Sequence, residues 1–295
     1  MLTALAEVYP IVAETFEEAS DHLGLDLGRL IADGPVEQLN RTENTQPAML
    51  AAGIAVWRVW RQQGGGRPSM MAGHSLGEYT ALTAAGAIDF GDALRLVRKR
   101  GQYMQNAVAE GSGAMAAILG LDDDTVRQVC ADAGQGEVVE AVNLNAPGQV
   151  VIAGDKAAVE RAMKLAKDAG AKRALPLPVS VPSHCALMRP AALQLADALT
   201  EVDLRVADTP VIHNVSVDVA KDAGDIARLL VEQLYKPVRW VESVEKIRDA
   251  NTGILYECGP GKVLTGLCKR IDKTLNALAV FDPASLDKAL EAQHA

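Results

Sequence analysis

The stretch Ser69-Met70-Met71-Ala72-Gly73-His74-Ser75-Leu76-Gly77 decides how this sequence is interpreted. A short apolar run ends at Gly73, and helix-forming residues begin directly at Leu76. A strand, a Gly-x-Ser-x-Gly turn and a helix in this order are typical of a nucleophile elbow, which holds a serine hydroxyl at the end of a strand. We therefore predict a strand over Ser69–Ala72, a helix from Leu76 to about Ala85, and Ser75 as an acyl-carrying nucleophile.

The helix after the elbow has a second predicted role. Its first N–H groups have no partner within the helix and point towards the serine. The backbone N–H of Leu76 is thus the expected donor to an oxyanion formed at Ser75. Gly73 and Gly77 are expected to allow two backbone segments to approach closely. The alternative is a chance occurrence of the motif in a glycine-rich sequence.

A serine hydroxyl needs a general base, and the sequence has five histidines. His184 follows Val181-Pro182-Ser183, where the chain is predicted to leave a small inserted unit, and functional residues concentrate on such loops. His213 lies in an apolar predicted strand and is the second candidate. The other histidines are expected to lie in solvent or to point away from the nucleophile: His22, His294 and His74.

The predicted helix from Phe90 to Val108 carries one charged residue on its apolar face. At 3.6 residues per turn, Arg100 shares this face with Ala93, Leu96, Val97, Tyr103, Met104 and Ala107. A guanidinium in such a place requires an anionic partner or strong hydrogen bonds. Two interpretations remain open, which are a structural ion pair with a buried Asp or Glu and a bidentate clamp for a substrate carboxylate.

The order of the predicted elements indicates an α/β fold with an insertion. Residues 113–181 follow the order β-α-β-β-α-β, which is typical of a ferredoxin-like unit. Strands and helices alternate before and after it, which predicts a mostly parallel sheet with helices on its faces. We therefore predict a core formed by residues 1–112 and 182–295. Other predicted elements are a helix over 1–23, a helix that starts at Thr45-Gln46-Pro47, a helix over Ser183–Leu199 and a strand over Val211–Val217.

Composition excludes several classes of function. The 29 basic and 38 acidic residues give a net charge of −9, and no basic block predicts nucleic-acid binding. None of the four cysteines forms a C-x-x-C pair, so neither a metal site nor a redox motif is indicated. We expect a cytoplasmic, monomeric protein without a signal peptide or a membrane span.

Six stretches carry a resemblance to a known family. They are Gly-His-Ser-Leu-Gly-Glu-Tyr at 73–79, Leu-Val-Arg-Lys-Arg-Gly at 96–101, Gly-Ala-Met-Ala-Ala at 113–117, Val-Pro-Ser-His at 181–184, Gln-Leu-Tyr at 233–235 with Pro-Val-Arg-Trp at 237–240, and Gly-Pro-Gly-Lys-Val-Leu at 259–264. Together they resemble the malonyl-CoA:acyl carrier protein transacylases of bacterial fatty acid synthesis. In one respect the sequence departs from that family, because it has no segment that matches the family's first strand and its Gly-Gln-Gly-Ser-Gln loop, which supplies part of the oxyanion hole.

The resemblance implies an α/β-hydrolase-like core with an inserted ferredoxin-like domain. It implies that malonyl-CoA acylates Ser75, that His184 is the general base and then the general acid, and that Arg100 binds the malonyl carboxylate. In the family a backbone carbonyl orients the histidine, and the matching position is Gln233. The implied partner is acyl carrier protein, and no cofactor is implied.

Two other functions remain open at this point. One is a serine esterase or thioesterase, in which water accepts the acyl group and an acid would be expected between Ser75 and His184 in the sequence. The other is a catalytically impaired protein that binds carrier protein, because a matching oxyanion loop is absent.

Overall fold

Seven helices and one short strand form the part of the chain that precedes the inserted unit. The computed structural model describes residues 1–179, 181–250 and 253–293. The first elements are α1 (Thr3–Ala6), α2 (Ile11–Leu23), α3 (Leu27–Asp33), α4 (Val36–Leu39), α5 (Thr42–Gln62), β1 (Met71–Ala72), α6 (Leu76–Ala84) and α7 (Phe90–Asn106).

Two predictions about the first helices are wrong. The single helix expected over 1–23 is divided into α1 and α2, because Pro10 has no N–H to continue a helix and instead stands at the start of α2. The helix expected to start at Thr45 already starts at Thr42. The hydroxyl of Thr45 donates to the carbonyl oxygen of Leu39 at 2.5 Å rather than capping the helix, and Pro47 lies inside α5.

The inserted unit has the predicted ferredoxin-like topology. Its elements are β2 (Gly113–Leu119), α8 (Asp123–Gly134), β3 (Val139–Ala146), β4 (Gln149–Asp155), α9 (Lys156–Asp168) and β5 (Arg173–Pro176). The strands form an antiparallel sheet in the order β3-β4-β2-β5. A two-residue turn at Pro147-Gly148 connects β3 to β4, and Gly148 has the positive φ of 71° that favours glycine there. Apolar residues of α8 and α9 pack on the sheet and form a separate core.

After the insertion the chain returns to the larger core. The elements are a 3₁₀ turn (Ala186–Met188), α10 (Arg189–Leu199), β6 (Val211–Ile212), α11 (Ala223–Gln233), α12 (Trp240–Asp249), β7 (Ile254–Cys258), α13 (Val263–Ile271), β8 (Asn276–Val280) and α14 (Pro283–Gln293). The helix predicted over Ser183–Leu199 starts only at Arg189, because His184 has a φ of 67° and is therefore not helical. The sequence predictions did not include β8 or α14.

The parallel strands of the larger core form two separate pairs in the described residues. β1 pairs with β6, and β7 pairs with β8. The strand predicted over Val211–Val217 ends at Ile212, because the chain turns back and Val217 N–H donates to the carbonyl oxygen of His213 at 3.0 Å. No described strand precedes β1 in the chain, as the sequence indicates.

The elements meet around one cleft with a volume of about 1230 Å³. Residues of β1 and β7 line it, as do Ser75, Arg100 and Gln46. The inserted unit is joined to this region through β3, since Leu144 N–H donates to the carbonyl oxygen of Val238 at 3.0 Å. None of the helices in the described ranges is long and apolar enough to cross a membrane.

Candidate active site

Ser75 lies at the turn between β1 and α6, in the conformation expected of a nucleophile elbow. Its φ of 52° and ψ of −109° place a non-glycine residue in a strained region of backbone space. The side chain of Asn214 holds this turn from both ends. Its Oδ1 accepts from Ser75 N–H at 2.7 Å, and its Nδ2 donates to the carbonyl oxygen of Gly73 at 2.7 Å. These two hydrogen bonds stabilise the strained turn.

His184 is in direct contact with Ser75. The Nε2 atom of His184 lies 2.8 Å from Ser75 Oγ, and its Nδ1 atom lies 2.7 Å from the main-chain carbonyl oxygen of Gln233. A carbonyl oxygen only accepts, so Nδ1 carries the proton and Nε2 accepts the hydrogen bond from the serine hydroxyl. This is the tautomer that a general base requires. No acidic side chain in the described residues hydrogen-bonds His184, which is oriented by the backbone.

Burial keeps His184 neutral. The side chain is 2 % exposed, and burial lowers its pKa to about 3, with a further lowering from the nearby charge of Arg100. The hydrogen bond to the carbonyl of Gln233 acts in the opposite direction but is the smaller effect. The imidazole is therefore in its proton-accepting form throughout the neutral pH range.

Arg100 lies on the buried face of α7 and reaches the same point. Its Nη1 donates to Gln46 Oε1 at 2.7 Å and its Nη2 to Gln233 Oε1 at 2.9 Å, while Nη2 also lies 3.4 Å from Ser75 Oγ. The guanidinium lies 5.3 Å from the ring centre of Tyr79. In the described part of the chain it forms no ion pair, so the interpretation of a direct structural salt bridge is wrong.

Gln233, the last residue of α11, joins the other groups together. Its main-chain oxygen accepts from His184, and its side-chain oxygen accepts from Arg100. Its Nε2 donates to the carbonyl oxygen of Ser75 at 3.0 Å and to Glu78 Oε2 at 2.9 Å. One residue thus contacts the base, the guanidinium and the backbone of the nucleophile.

Comparison with known proteins assigns a family to this arrangement. Residues 3–279 match the family model described as "Acyl transferase domain". The chain belongs to the acyl transferase domain family. In Salmonella typhimurium, a protein named malonyl CoA-acyl carrier protein transacylase is 58 % identical over 290 residues, which is 98 % of this chain and 94 % of that protein. The transacylase of the same name from Bacillus subtilis is 47 % identical and covers 97 % of this chain and 90 % of its own length.

Solved structures of this acyl transferase family agree with the fold. An acyl carrier protein S-malonyltransferase from Vibrio cholerae is 60 % identical, with a TM-score of 0.95 over 98 % of this chain and 94 % of that one. A malonyl-transacylase solved in complex with a type II PKS acyl-carrier protein is 57 % identical, with a TM-score of 0.98 over 99 % of this chain and 94 % of that one. These similarities confirm the predicted α/β-hydrolase-like core with a ferredoxin-like insertion.

The five residues that the sequence predicts for the site all lie together in the structure. Ser75, His184, Arg100 and Gln233 form the hydrogen-bonded group, and Leu76 is the first residue of α6 and lines the same cleft. The other histidines lie elsewhere. His213 Nδ1 contacts Glu78, His74 Nε2 contacts Asn145 Oδ1 at 2.8 Å, His22 is exposed, and His294 lies outside the described residues.

The sequence analysis did not predict three residues that contact this site, which are Gln46, Glu78 and Asn214. Gln46 contacts Arg100, and the other two hold Gln233 and Ser75. Glu78 is part of the stretch at 73–79 that matches the family, which was a signal available in the sequence. Gln46 and Asn214 are uncharged residues far from the elbow in the chain, so no pattern of charge or periodicity indicates them.

Proposed function

We propose that this protein transfers a malonyl group from malonyl-CoA to the phosphopantetheine thiol of acyl carrier protein. The main observation in support of the proposal is that His184 and Arg100 both lie within hydrogen-bond distance of Ser75 Oγ. A serine with a neutral imidazole can carry an acyl group, and a buried guanidinium beside it selects acyl groups that end in a carboxylate. The names of the relatives support the same reaction.

In the first half of the reaction, Ser75 becomes acylated. Arg100 binds the carboxylate of the malonyl group, and Ser75 Oγ attacks the thioester carbonyl as His184 Nε2 takes the hydroxyl proton. The N–H of Leu76, at the start of α6, donates to the oxyanion. The carbon–sulfur bond then breaks, His184 returns the proton to the sulfur, and CoA leaves as the free thiol.

In the second half, the carrier thiol replaces the serine. The thiol attacks the malonyl ester while His184 takes its proton, and the same oxyanion contact forms again. When the ester bond breaks, His184 gives the proton back to Ser75 Oγ, and malonyl-carrier protein leaves. In both halves of this scheme, His184 accepts the proton and gives it back.

We further propose that the chain is divided into a core of residues 1–112 and 182–295 and an inserted domain of residues 113–181. Two observations support this division. Strand pairing links the four-stranded antiparallel sheet to the rest of the described chain at a single bridge, between Asn143 and Val238, and the apolar core of the sheet is separate from the larger cluster formed by α2, α5, α6, α7 and α10.

Intact mass spectrometry after exposure to malonyl-CoA tests the proposed function. We expect one malonyl adduct on the unchanged protein and none on Ser75→Ala. Ser112→Ala is a matched control, because Ser112 is exposed and does not line the cleft, and the adduct of this variant should be unchanged. An adduct that survives Ser75→Ala contradicts the assignment of the nucleophile.

Transfer is then measured with acyl carrier protein added to the malonylated protein. We expect malonyl-carrier protein to accumulate faster than free malonate. A reaction that releases free malonate at the same rate with or without carrier protein identifies a thioesterase. Binding of carrier protein by a chain that never forms the adduct identifies a non-catalytic binding protein.

A further inference from the structure

Two opposite charges are buried near each other without direct contact. Among the described residues, Glu78 is the one acidic side chain and Arg100 the one Lys or Arg side chain that is fully buried. Neither contacts the other. The side chain of Gln233 lies between them, with Nε2 2.9 Å from Glu78 Oε2 and Oε1 2.9 Å from Arg100 Nη2.

Both oxygens of Glu78 have nitrogen atoms as hydrogen-bond partners. Oε1 lies 2.7 Å from His213 Nδ1, and Oε2 accepts from Asn214 N–H at 2.9 Å and from Gln233. Such a set of donors fits an ionised carboxylate, which only accepts. The carboxylate therefore requires the NH₂ end of the Gln233 amide, and this leaves the oxygen end for Arg100. The charge of Glu78 and the carbonyl oxygen of Ser75, which accepts from the same Nε2 atom, together fix the orientation of that amide.

The carboxylate also compensates part of the cost of burying Arg100. Burial lowers the pKa of Arg100, while Tyr79 and, after it, the charge of Glu78 act in the opposite direction and favour the charged guanidinium. A direct ion pair would do the same more strongly, but it would occupy the guanidinium. With an amide in between, no carboxylate of the described residues occupies the guanidinium, whose Nη2 lies at the cleft 3.4 Å from Ser75 Oγ.

We propose that Glu78 is a positioning residue that acts as the indirect counter-charge of Arg100, with Gln233 as the spacer that keeps the guanidinium open for an acyl carboxylate. This inference rests on the proposed function, in which Arg100 binds that carboxylate. It assigns a charge-balancing role to Glu78 and a reason for the uncharged residue at position 233. It also predicts the direction of the change in affinity, because removal of the counter-charge makes the guanidinium bind anions more tightly.

The test is the affinity for two acyl-CoA esters on a background that cannot react. In Ser75→Ala, the dissociation constants of malonyl-CoA and acetyl-CoA are measured by calorimetry, with and without Glu78→Gln. We expect Glu78→Gln to lower the dissociation constant of malonyl-CoA about three- to tenfold, because it removes a negative charge that is one amide group away from Arg100. The dissociation constant of acetyl-CoA should change by less than about twofold. Glu232→Gln is the matched control, because Glu232 is next to Gln233 on α11 but pairs with Arg228 and Lys236 outside the site.

Two outcomes contradict the inference. Unchanged malonyl-CoA affinity means that Glu78 does not act as a counter-charge of Arg100. Weaker affinity for both esters means that Glu78 serves only to hold the shape of the site.

A second variant tests the spacer by exchanging the amide and the carboxylate, which leaves the number of buried charged groups unchanged. Gln233→Glu combined with Glu78→Gln, on the same Ser75→Ala background, places the carboxylate directly beside Arg100. We expect it to weaken malonyl-CoA binding at least about tenfold, because the new ion pair competes with the ligand, and to leave acetyl-CoA within about twofold. Unchanged malonyl-CoA binding in this variant overturns the spacer role.

Failure of the proposed function is distinguishable from failure of this inference. If Ser75→Ala alone binds malonyl-CoA no better than acetyl-CoA, the carboxylate role of Arg100 fails, and the inference fails with it. If Ser75→Ala prefers malonyl-CoA and Arg100→Gln removes that preference, the role of Arg100 stands. The response to Glu78→Gln then decides the inference alone.

Discussion

Gly73 lies against the backbone of Gly77 so closely that a Cβ atom at Gly73 would be 1.9 Å from the carbonyl carbon of Gly77. Real Cβ atoms do not approach backbone at such a distance, and backbone in the first turn of a helix cannot move aside cheaply. At Gly77 itself an added Cβ would meet nothing within 4 Å. The two glycines of the elbow are thus not equivalent, and the close approach depends on Gly73.

The first prediction follows from this difference. Gly73→Ala should cost more than about 4 kcal/mol of unfolding free energy or prevent folding, because the clash involves backbone on both sides. Gly77→Ala should change the unfolding free energy by less than about 1 kcal/mol, since alanine favours the helix. Urea unfolding of both variants measures the contrast. Equal losses in the two variants would contradict the described packing of the elbow.

The second prediction concerns acyl selectivity. Arg100→Ala should lower kcat/KM for malonyl-CoA by about 10²-fold or more, the range expected when one partner of a buried charged pair is removed. The value for acetyl-CoA should fall by less than about tenfold, because acetyl has no carboxylate to bind. Arg95→Ala is the control, since Arg95 is an exposed residue of the same helix that pairs with Asp92. A loss of the same size for both esters would show that Arg100 does not select the carboxylate.

The third prediction concerns the pH dependence of acylation. The pKa of His184 is held at about 3, so the base is neutral at any pH well above that value. Between pH 8 and pH 5, kcat/KM should therefore not show an acid limb. With an imidazole of ordinary pKa, kcat/KM would fall about 30-fold by pH 5. Because Arg100 contributes to this lowering, Arg100→Gln should move the acid limb towards neutral pH. Single-turnover acylation rates across this range provide the measurement, and a limb near pH 6.5 in the unchanged protein would refute a depressed pKa.

The fourth prediction links the same group to stability. The pKa of His184 is lower in the folded than in the unfolded chain, so the unfolded state binds more protons below about pH 6.5. Its contribution to stability is therefore present at pH 7.5 and is lost progressively as the pH falls towards 3. His184→Gln removes this titration. As the pH falls from 7.5 to 5, the unchanged protein should therefore lose more unfolding free energy than the variant does. A difference that stays constant with pH would contradict the prediction.

The fifth prediction separates the main-chain contact of Gln233 from its side-chain contacts. His184→Ala removes the base and should lower kcat by about 10²–10⁴-fold, the usual contribution of general acid–base catalysis. Gln233→Ala keeps the main-chain oxygen that orients His184, so its loss in kcat should be at least about tenfold smaller. Stopped-flow acylation of both variants, with thermal midpoints to check folding, gives the comparison. Equal losses would mean that the side chain, and not the backbone, determines the orientation of the base.

The elbow and the inserted unit were predictable from the sequence because their signals are local. A strand, a Gly-x-Ser-x-Gly turn and a helix are adjacent in the chain, and the periodicity of α7 places Arg100 on a buried face. The β-α-β-β-α-β order of residues 113–181 likewise determines a known topology. These features need no information about distant contacts.

The polar contacts of the site were not predictable in this way. Gln46 lies 54 positions from Arg100 in the chain, and Asn214 lies 139 positions from Ser75. An uncharged amide in a helix or after a short strand has many possible partners, and only the packed fold selects one. The bounds of the strand at Val211 were wrong for a similar reason, since an apolar run does not reveal that the chain turns back at His213.

The contact between His184 and residue 233 is made through the peptide backbone, and this has a consequence for how such a sequence can diverge. A substitution at position 233 replaces the amide that faces Arg100 but cannot remove the carbonyl that holds the imidazole. The preference for an acyl group can therefore drift by single substitutions while the main-chain contact that orients the base is inherited unchanged. A triad that relied on an acidic side chain at the same place would offer no such separation, because one substitution would alter both properties at once.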